Sequence, residues 1–261
     1  MVHQANIFQI LMLGLIQGIT EFLPVSSSGH LALFQHLLGI KLPLVFDVLV
    51  HLGTLGALIL FFRKDIKKII IGALEEIKKR QIGQQWRLIS LLVLGTLPVV
   101  AAGLFFRSLV EKAFTDLILV GVGFLITAIF LFLLRLVSRQ AFGHRQRVLL
   151  VGIAQALAIL PGVSRSGSTI SVGTMLGMEK EETFRFSFFL GMIAILGATI
   201  LQISQIADFN ANQLIGSFLA MGAAFLTGYF SLKLLKLVFL KNQLWYFGFY
   251  CLVLAGICFL V

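Results

Sequence analysis

A chain of 261 residues that is 59% hydrophobic and only 12% charged, with a mean hydropathy of +1.01, cannot hide its apolar surface inside one soluble core. The composition excludes an ordinary soluble domain and implies an all-α polytopic membrane protein whose outer faces meet lipid. The formal net charge of +10 does not point to nucleic acid: of the 21 Lys and Arg, 8 lie in residues 63–87, 4 in 135–147 and 3 in 233–241, all in gaps between apolar runs, as basic loops at anionic headgroups do.

In chain order, residues 1–6 carry no Lys or Arg, so the first apolar stretch is expected to belong to the membrane domain and not to a cleavable signal. Region 7–39 is two short apolar pieces broken by "PVSSSGH" at 24–30. Runs 44–62, 88–106 and 117–134 follow, each read as a crossing. A basic loop, 135–147, leads to a second broken region, 148–177, interrupted by "PGVSRSGS" at 161–168. Runs 187–203, 214–232 and 244–261 complete six expected crossings. Cys251 and Cys258 fall seven residues apart in the last run, as packed or lipid-facing thiols and without a metal-site spacing.

The two broken regions match each other. A shift of 138 residues superimposes Gly14, Gln17, Val25, Ser26, Ser28, Gly29, Phe46 and Gly53 on Gly152, Gln155, Val163, Ser164, Ser166, Gly167, Phe184 and Gly191. Eight identities at one offset imply an internal duplication, with repeat 1 at about 1–134 and repeat 2 at about 148–261 of a single membrane domain. If the three basic gaps are all cytoplasmic, the crossings close consistently only when 7–39 and 148–177 enter and return on one side, the first from outside and the second from inside. Loop 204–213, without Lys or Arg, then faces outward. The expected fold is six transmembrane helices plus two re-entrant helical hairpins in an inverted repeat, with the two broken tips meeting near the midplane, where such folds place a binding site.

The tips have the chemistry for a charged lipid end. At 161–168, Ser164 or Ser166 can cap a half-helix whose free N–H groups, with Gly167 beside them, suit an anion, and Arg165 supplies a fork for phosphate. At 17–30, Gln17 and Glu21 share a helical face, Ser26, Ser27 and Ser28 sit at the turn, and Gly29 permits close approach of the backbone. A serine hydroxyl needs a base, and His30 lies three residues after Ser27. Glu21 could orient His30, pair with Arg165 or hold a divalent cation, Mg²⁺ or Ca²⁺, whose other ligands come from phosphate oxygens. Asp47 and Arg185, equivalent under the 138 shift, are expected to pair or to be solvated at the interface, with His51 beside Asp47. His3, His36 and His144 are expected at interfaces or exposed.

"QGITEFLPVSSSGH" (17–30) together with "PGVSRSGST" (161–169) resembles the BacA-type undecaprenyl pyrophosphate phosphatases, bacterial membrane enzymes that recycle a lipid carrier for peptidoglycan synthesis and confer bacitracin resistance when overproduced. The resemblance covers nearly the whole chain. It implies hydrolysis of a polyprenyl diphosphate to the monophosphate and phosphate, in the inner membrane, with the site opening to the periplasm. The family's (E/Q)xxxE motif falls on Gln17 and Glu21, and its PGxSRSxxT motif on Pro161, Gly162, Ser164, Arg165, Ser166 and Thr169. It places the nucleophile on Ser27, the histidine on His30 and the essential arginine on Arg165, with Ser26, Ser28, Gly29, Ser164, Ser166, Gly167 and Thr169 around the phosphates. Gln17 replaces the glutamate of many members, so acid–base work is expected of His30 and Glu21. A homodimer is compatible with this reading. The rival is a translocator of polyprenyl phosphate, for which no nucleophile–base pair is required.

Overall fold

The computed structural model describes residues 5–136, 142–202 and 211–261. Among them the chain forms α1 (Ile7–Phe22), α2 (Ser27–Leu37), α3 (Leu44–Phe61), α4 (Arg63–Lys78), α5 (Gln84–Phe105), α6 (Arg107–Ala113), α7 (Leu117–Leu136), α8 (His144–Leu157), α9 (Arg165–Met175), α10 (Lys180–Gln202), α11 (Ala211–Leu240) and α12 (Tyr246–Leu260). His3, part of the basic loop and most of loop 204–213 lie outside the described residues.

Among the described residues four helices, α5, α7, α10 and α11, are long and apolar enough to cross a membrane, and a fifth span arises if α3 and α4 are counted together across their 73° bend. The chain is thus an all-α, multi-pass membrane protein. Each of the six expected runs contains a helix, but the last is short. The 15 residues of α12 rise only about 22 Å, less than the ~30 Å hydrocarbon core.

One segment read as a basic loop is a helix. In α4, lysines and isoleucines alternate with a helical period that the density of charge obscures in the sequence, and Ala73 is the buried contact. Its Glu76 carboxylate accepts the N–H groups of Gly83, Gln85 and Trp86 and so caps the start of α5. The hydrogen bond from Gln85 is the main reason this carboxyl is held below the usual carboxylate range. The bend after Phe61 also carries Asp65 to α10, where it pairs with Arg185 at 3.3 Å. Arg185 therefore does not pair with Asp47, which is buried on α3 with Oδ1 lacking a hydrogen-bond partner among the described residues.

The two broken regions are helical hairpins: α1 packs on α2, and α8 on α9. Asn6 starts α1 with a reciprocal capping box to Gln9. The first helix of each hairpin lies along a long helix from the other half of the chain, α1 on α11 and α8 on α5. Small residues allow this close approach. A side chain at Gly14 would meet the Ala220 backbone, and one at Gly152 the Gly95 backbone. Ser231 adds a hydrogen bond to the Ile19 carbonyl at 2.6 Å. Helices α3 and α10 pack together, and their aromatic rings, with Phe22 and Phe62 against Phe184 and Phe188, fill the core. Both cysteines are free and buried.

Candidate active site

The turn between α1 and α2 is four residues, Leu23 to Ser26. Pro24 stops α1, and Ser26 adopts φ +63°, a region that L residues avoid. From there α2 starts immediately. The Ser26 hydroxyl caps it by accepting the Gly29 N–H at 3.3 Å and lies 3.3 Å from the Ser28 hydroxyl. This sharp reversal aims Ser27 back at the last turn of α1, where its hydroxyl donates to Glu21 Oε2 at 2.6 Å. Gln17, one turn earlier on α1, donates to the same oxygen at 3.0 Å.

The second turn is built differently. Gly162 takes φ +89° and presses on α7, where Thr127 donates to the Gly162 carbonyl and accepts the Ser164 N–H, both at 2.8 Å. Ser164 then caps α9 by accepting the Gly167 N–H at 3.1 Å, and lies 3.3 Å from the Ser166 hydroxyl.

The two turns touch. Ser166 donates to the Leu23 carbonyl at 3.3 Å, and a Cβ on Gly29 would strike Gly162. Both α2 and α9 therefore begin at one junction, each with first-turn N–H groups that no helical carbonyl satisfies. Arg165 closes the gap: its Nη2 donates to Glu21 Oε1 at 2.9 Å, while the buried Nη1 has no hydrogen-bond partner among the described residues. The guanidinium lies over the Phe188 ring at 5.7 Å and directly on the backbone of Gly191. A carboxylate only 7% exposed is costly in this setting unless paired, and Glu21 is paired with Arg165 across 144 residues of chain.

The structure brings together Gln17, Glu21, Ser26, Ser27, Ser28, Gly29, Ser164, Arg165, Ser166 and Gly167. It separates two others from the roles expected of them. His30 is buried and makes no hydrogen bond to Ser27: Nδ1 bonds the Ser26 carbonyl at 2.7 Å, and Nε2 the Tyr250 hydroxyl at 2.8 Å. Both ring nitrogens are occupied, and the Ser27 proton points to Glu21 instead. Thr169 is fully buried and bridges the Arg165 carbonyl and the Ser187 hydroxyl, at 2.7 and 2.6 Å, tying α9 to α10 rather than facing the junction. His51, a weaker candidate in the sequence, also reaches the junction. Its Nδ1 bonds the Asp47 carbonyl, leaving Nε2 at 3.5 Å from Glu21 Oε2. Spacing from Asp47 gave only a hint of this. Thr127 and Tyr250 carried no signal and Gly191 only its place in the repeat match, since their partners are on other helices.

A divalent cation needs several hard oxygen ligands. Glu21 offers one carboxylate, with both oxygens already engaged and a guanidinium beside it. Among the described residues no three His, Cys, Asp or Glu converge on a metal position. These residues do not compose a cation site by themselves.

Residues 10–257 match the family described as bacitracin resistance protein BacA. The chain is 41% identical to an undecaprenyl-diphosphatase of Carboxydothermus hydrogenoformans, over 98% of this chain and 97% of that one. It is 38% identical to an undecaprenyl-diphosphatase of Korarchaeum cryptofilum, over 98% of both chains, and to undecaprenyl-diphosphatase 2 of Bacillus thuringiensis, over 95% of both.

Proposed function

The chain belongs to the bacitracin resistance protein BacA family, and from that membership and the geometry of the two turns we propose that it is a membrane hydrolase, an undecaprenyl-diphosphatase. It cleaves a polyprenyl diphosphate to the monophosphate and inorganic phosphate. One observation carries this reading: Glu21 takes the hydrogen bond of the Ser27 hydroxyl at 2.6 Å and the Arg165 guanidinium at 2.9 Å. A nucleophile, a base and an electrophilic clamp thus meet across two segments that are remote in sequence.

In the reaction the terminal phosphate lies against Arg165 Nη1 and the first-turn N–H groups of α2 and α9. The tail leaves between helices. Glu21 accepts the Ser27 proton as Oγ bonds the terminal phosphorus. The bridging P–O bond breaks, its electron pair goes to the bridging oxygen, and polyprenyl monophosphate departs. Water then attacks the phosphoserine phosphorus and the Ser27 Oγ–P bond breaks with its electron pair on Oγ, the water's hydroxyl staying on the released phosphate and its second proton passing to phosphate or solvent. Glu21 returns the first proton to Ser27 Oγ. A water activated directly by Glu21 would give the same products. His30 serves in the wall of the site, and Thr169 in the packing beneath it.

The finer architecture belongs to the same proposal: six crossings and two hairpins that enter from opposite sides, as inverted repeats. The exchange of partners, α1 with α11 and α8 with α5, supports this, as do the basic gaps. The site then opens to the outer face of the cytoplasmic membrane. In purified protein in detergent, with no compartments to transport between, phosphate release from polyprenyl diphosphate tests the reading. Wild type should turn over, and Arg165→Ala should lose about a thousand-fold in rate, the scale of a missing electrostatic clamp. Equal rates for the two would refute the site, and a silent wild type that moves lipid in vesicles would favour a translocator.

A further inference from the structure

Ser26 holds φ +63° and ψ 97° without being glycine, and the residue after it is the proposed nucleophile. Such a backbone persists only where its surroundings over-determine it. Here the clamp is His30. Its main-chain N–H and its ring Nδ1 both reach the Ser26 carbonyl, at 3.2 and 2.7 Å. A carbonyl oxygen only accepts, so Nδ1 carries the hydrogen, and the neutral ring is left with a bare Nε2 acceptor. Tyr250, on α12 and 220 residues away, fills that need by donating its hydroxyl at 2.8 Å. The two rings lie nearly parallel, 11° apart with centroids at 5.7 Å, and Phe124 packs edge-on against the imidazole at 5.6 Å. The neighbouring Cys251 thiol approaches the Pro24 carbonyl at 3.8 Å, so α12 touches the first hairpin at two successive residues, Tyr250 against α2 and Cys251 against the turn.

We propose that Tyr250 is a positioning residue of the phosphatase: through His30 it holds the Ser26 carbonyl, and so keeps the Ser27 hydroxyl aimed at Glu21. The proposal rests on the phosphatase reading for its kinetic test, but it also has a readout that needs no turnover.

The test uses full-length protein in detergent. Tyr250→Phe keeps the stacked ring and removes only the hydroxyl. It should lower kcat about ten-fold with KM little changed, the scale of one lost buried hydrogen bond. His30→Asn keeps an N–H near the place of Nδ1 but offers nothing to Tyr250. It should retain about ten-fold more activity than His30→Ala, and adding Tyr250→Phe to it should cost nothing further. Nitrogen NMR of the wild-type imidazole should report the Nδ1–H tautomer, with the Nε2 signal shifting in Tyr250→Phe. Wild-type kcat in Tyr250→Phe would overturn the proposal, as would an equal Tyr250→Phe penalty in the His30→Asn background or an Nε2–H tautomer in the wild type. An inactive wild type showing the Nδ1–H tautomer and the Nε2 shift would instead sink the phosphatase reading and leave the clamp standing.

Discussion

At the junction of the turns, the two oxygens of Glu21 are shared among four side chains, and small displacements there have large consequences. Arg165 can reach Oε1 only because Gly191 gives it a flat floor, and a Cβ at that position would land on the guanidinium. Gly191→Ala should therefore cost at least about a hundred-fold in phosphate release, as a misplaced catalytic group does. Gly197→Ala is the control. It lies on the same helix with open space around it and should leave the rate intact. Glu21, Ser27 and Arg165 were legible because polar groups inside broken apolar segments have few structural uses. The role of His30 was not. Proximity to Ser27 along the chain suggested a base, but a helical residue's ring goes where its rotamer and neighbours take it, here to the Ser26 carbonyl and Tyr250. His51 and Gly191 owe their importance to contacts between helices, which one sequence does not display.

The hairpins, α1–α2 and α8–α9, are the elements on which the site depends. Their breaks were readable from Pro24 and from Pro161-Gly162, since each residue type stops a helix or permits a reversal. Their contact with each other was inferred only from symmetry. The closeness of the two turns can be tested by covalent chemistry. An ideal Cβ on Gly167 lies 3.3 Å from that of Pro24, close to the spacing a disulfide requires. With Cys251 and Cys258 changed to serine, the Pro24→Cys, Gly167→Cys protein should form an intramolecular disulfide under mild oxidation, detectable by mass spectrometry. Recovery of both free thiols would mean that the turns do not meet. The amphipathic helix α4 was missed because its lysines made it look like a loop, although its isoleucines keep a helical period.

For the whole molecule, composition sufficed to identify a multi-pass membrane protein, while the count of crossings was harder to read. Apolar runs delimit where lipid is tolerated. They do not say whether a 15-residue helix such as α12 spans alone, or whether α3 bends into α4. In the proposed reading, the fold brings two helix N-termini and one guanidinium to a single anion position beside Ser27. A structure of the protein bound to a methylene-bridged, non-hydrolysable polyprenyl diphosphonate tests this most directly. The terminal phosphonate should hydrogen-bond Arg165 Nη1 and the first-turn N–H groups of both α2 and α9, with its phosphorus in line for Ser27 Oγ. A diphosphonate seated elsewhere, for example in the groove of α4 lined by Lys64, Lys67 and Lys68, would contradict it.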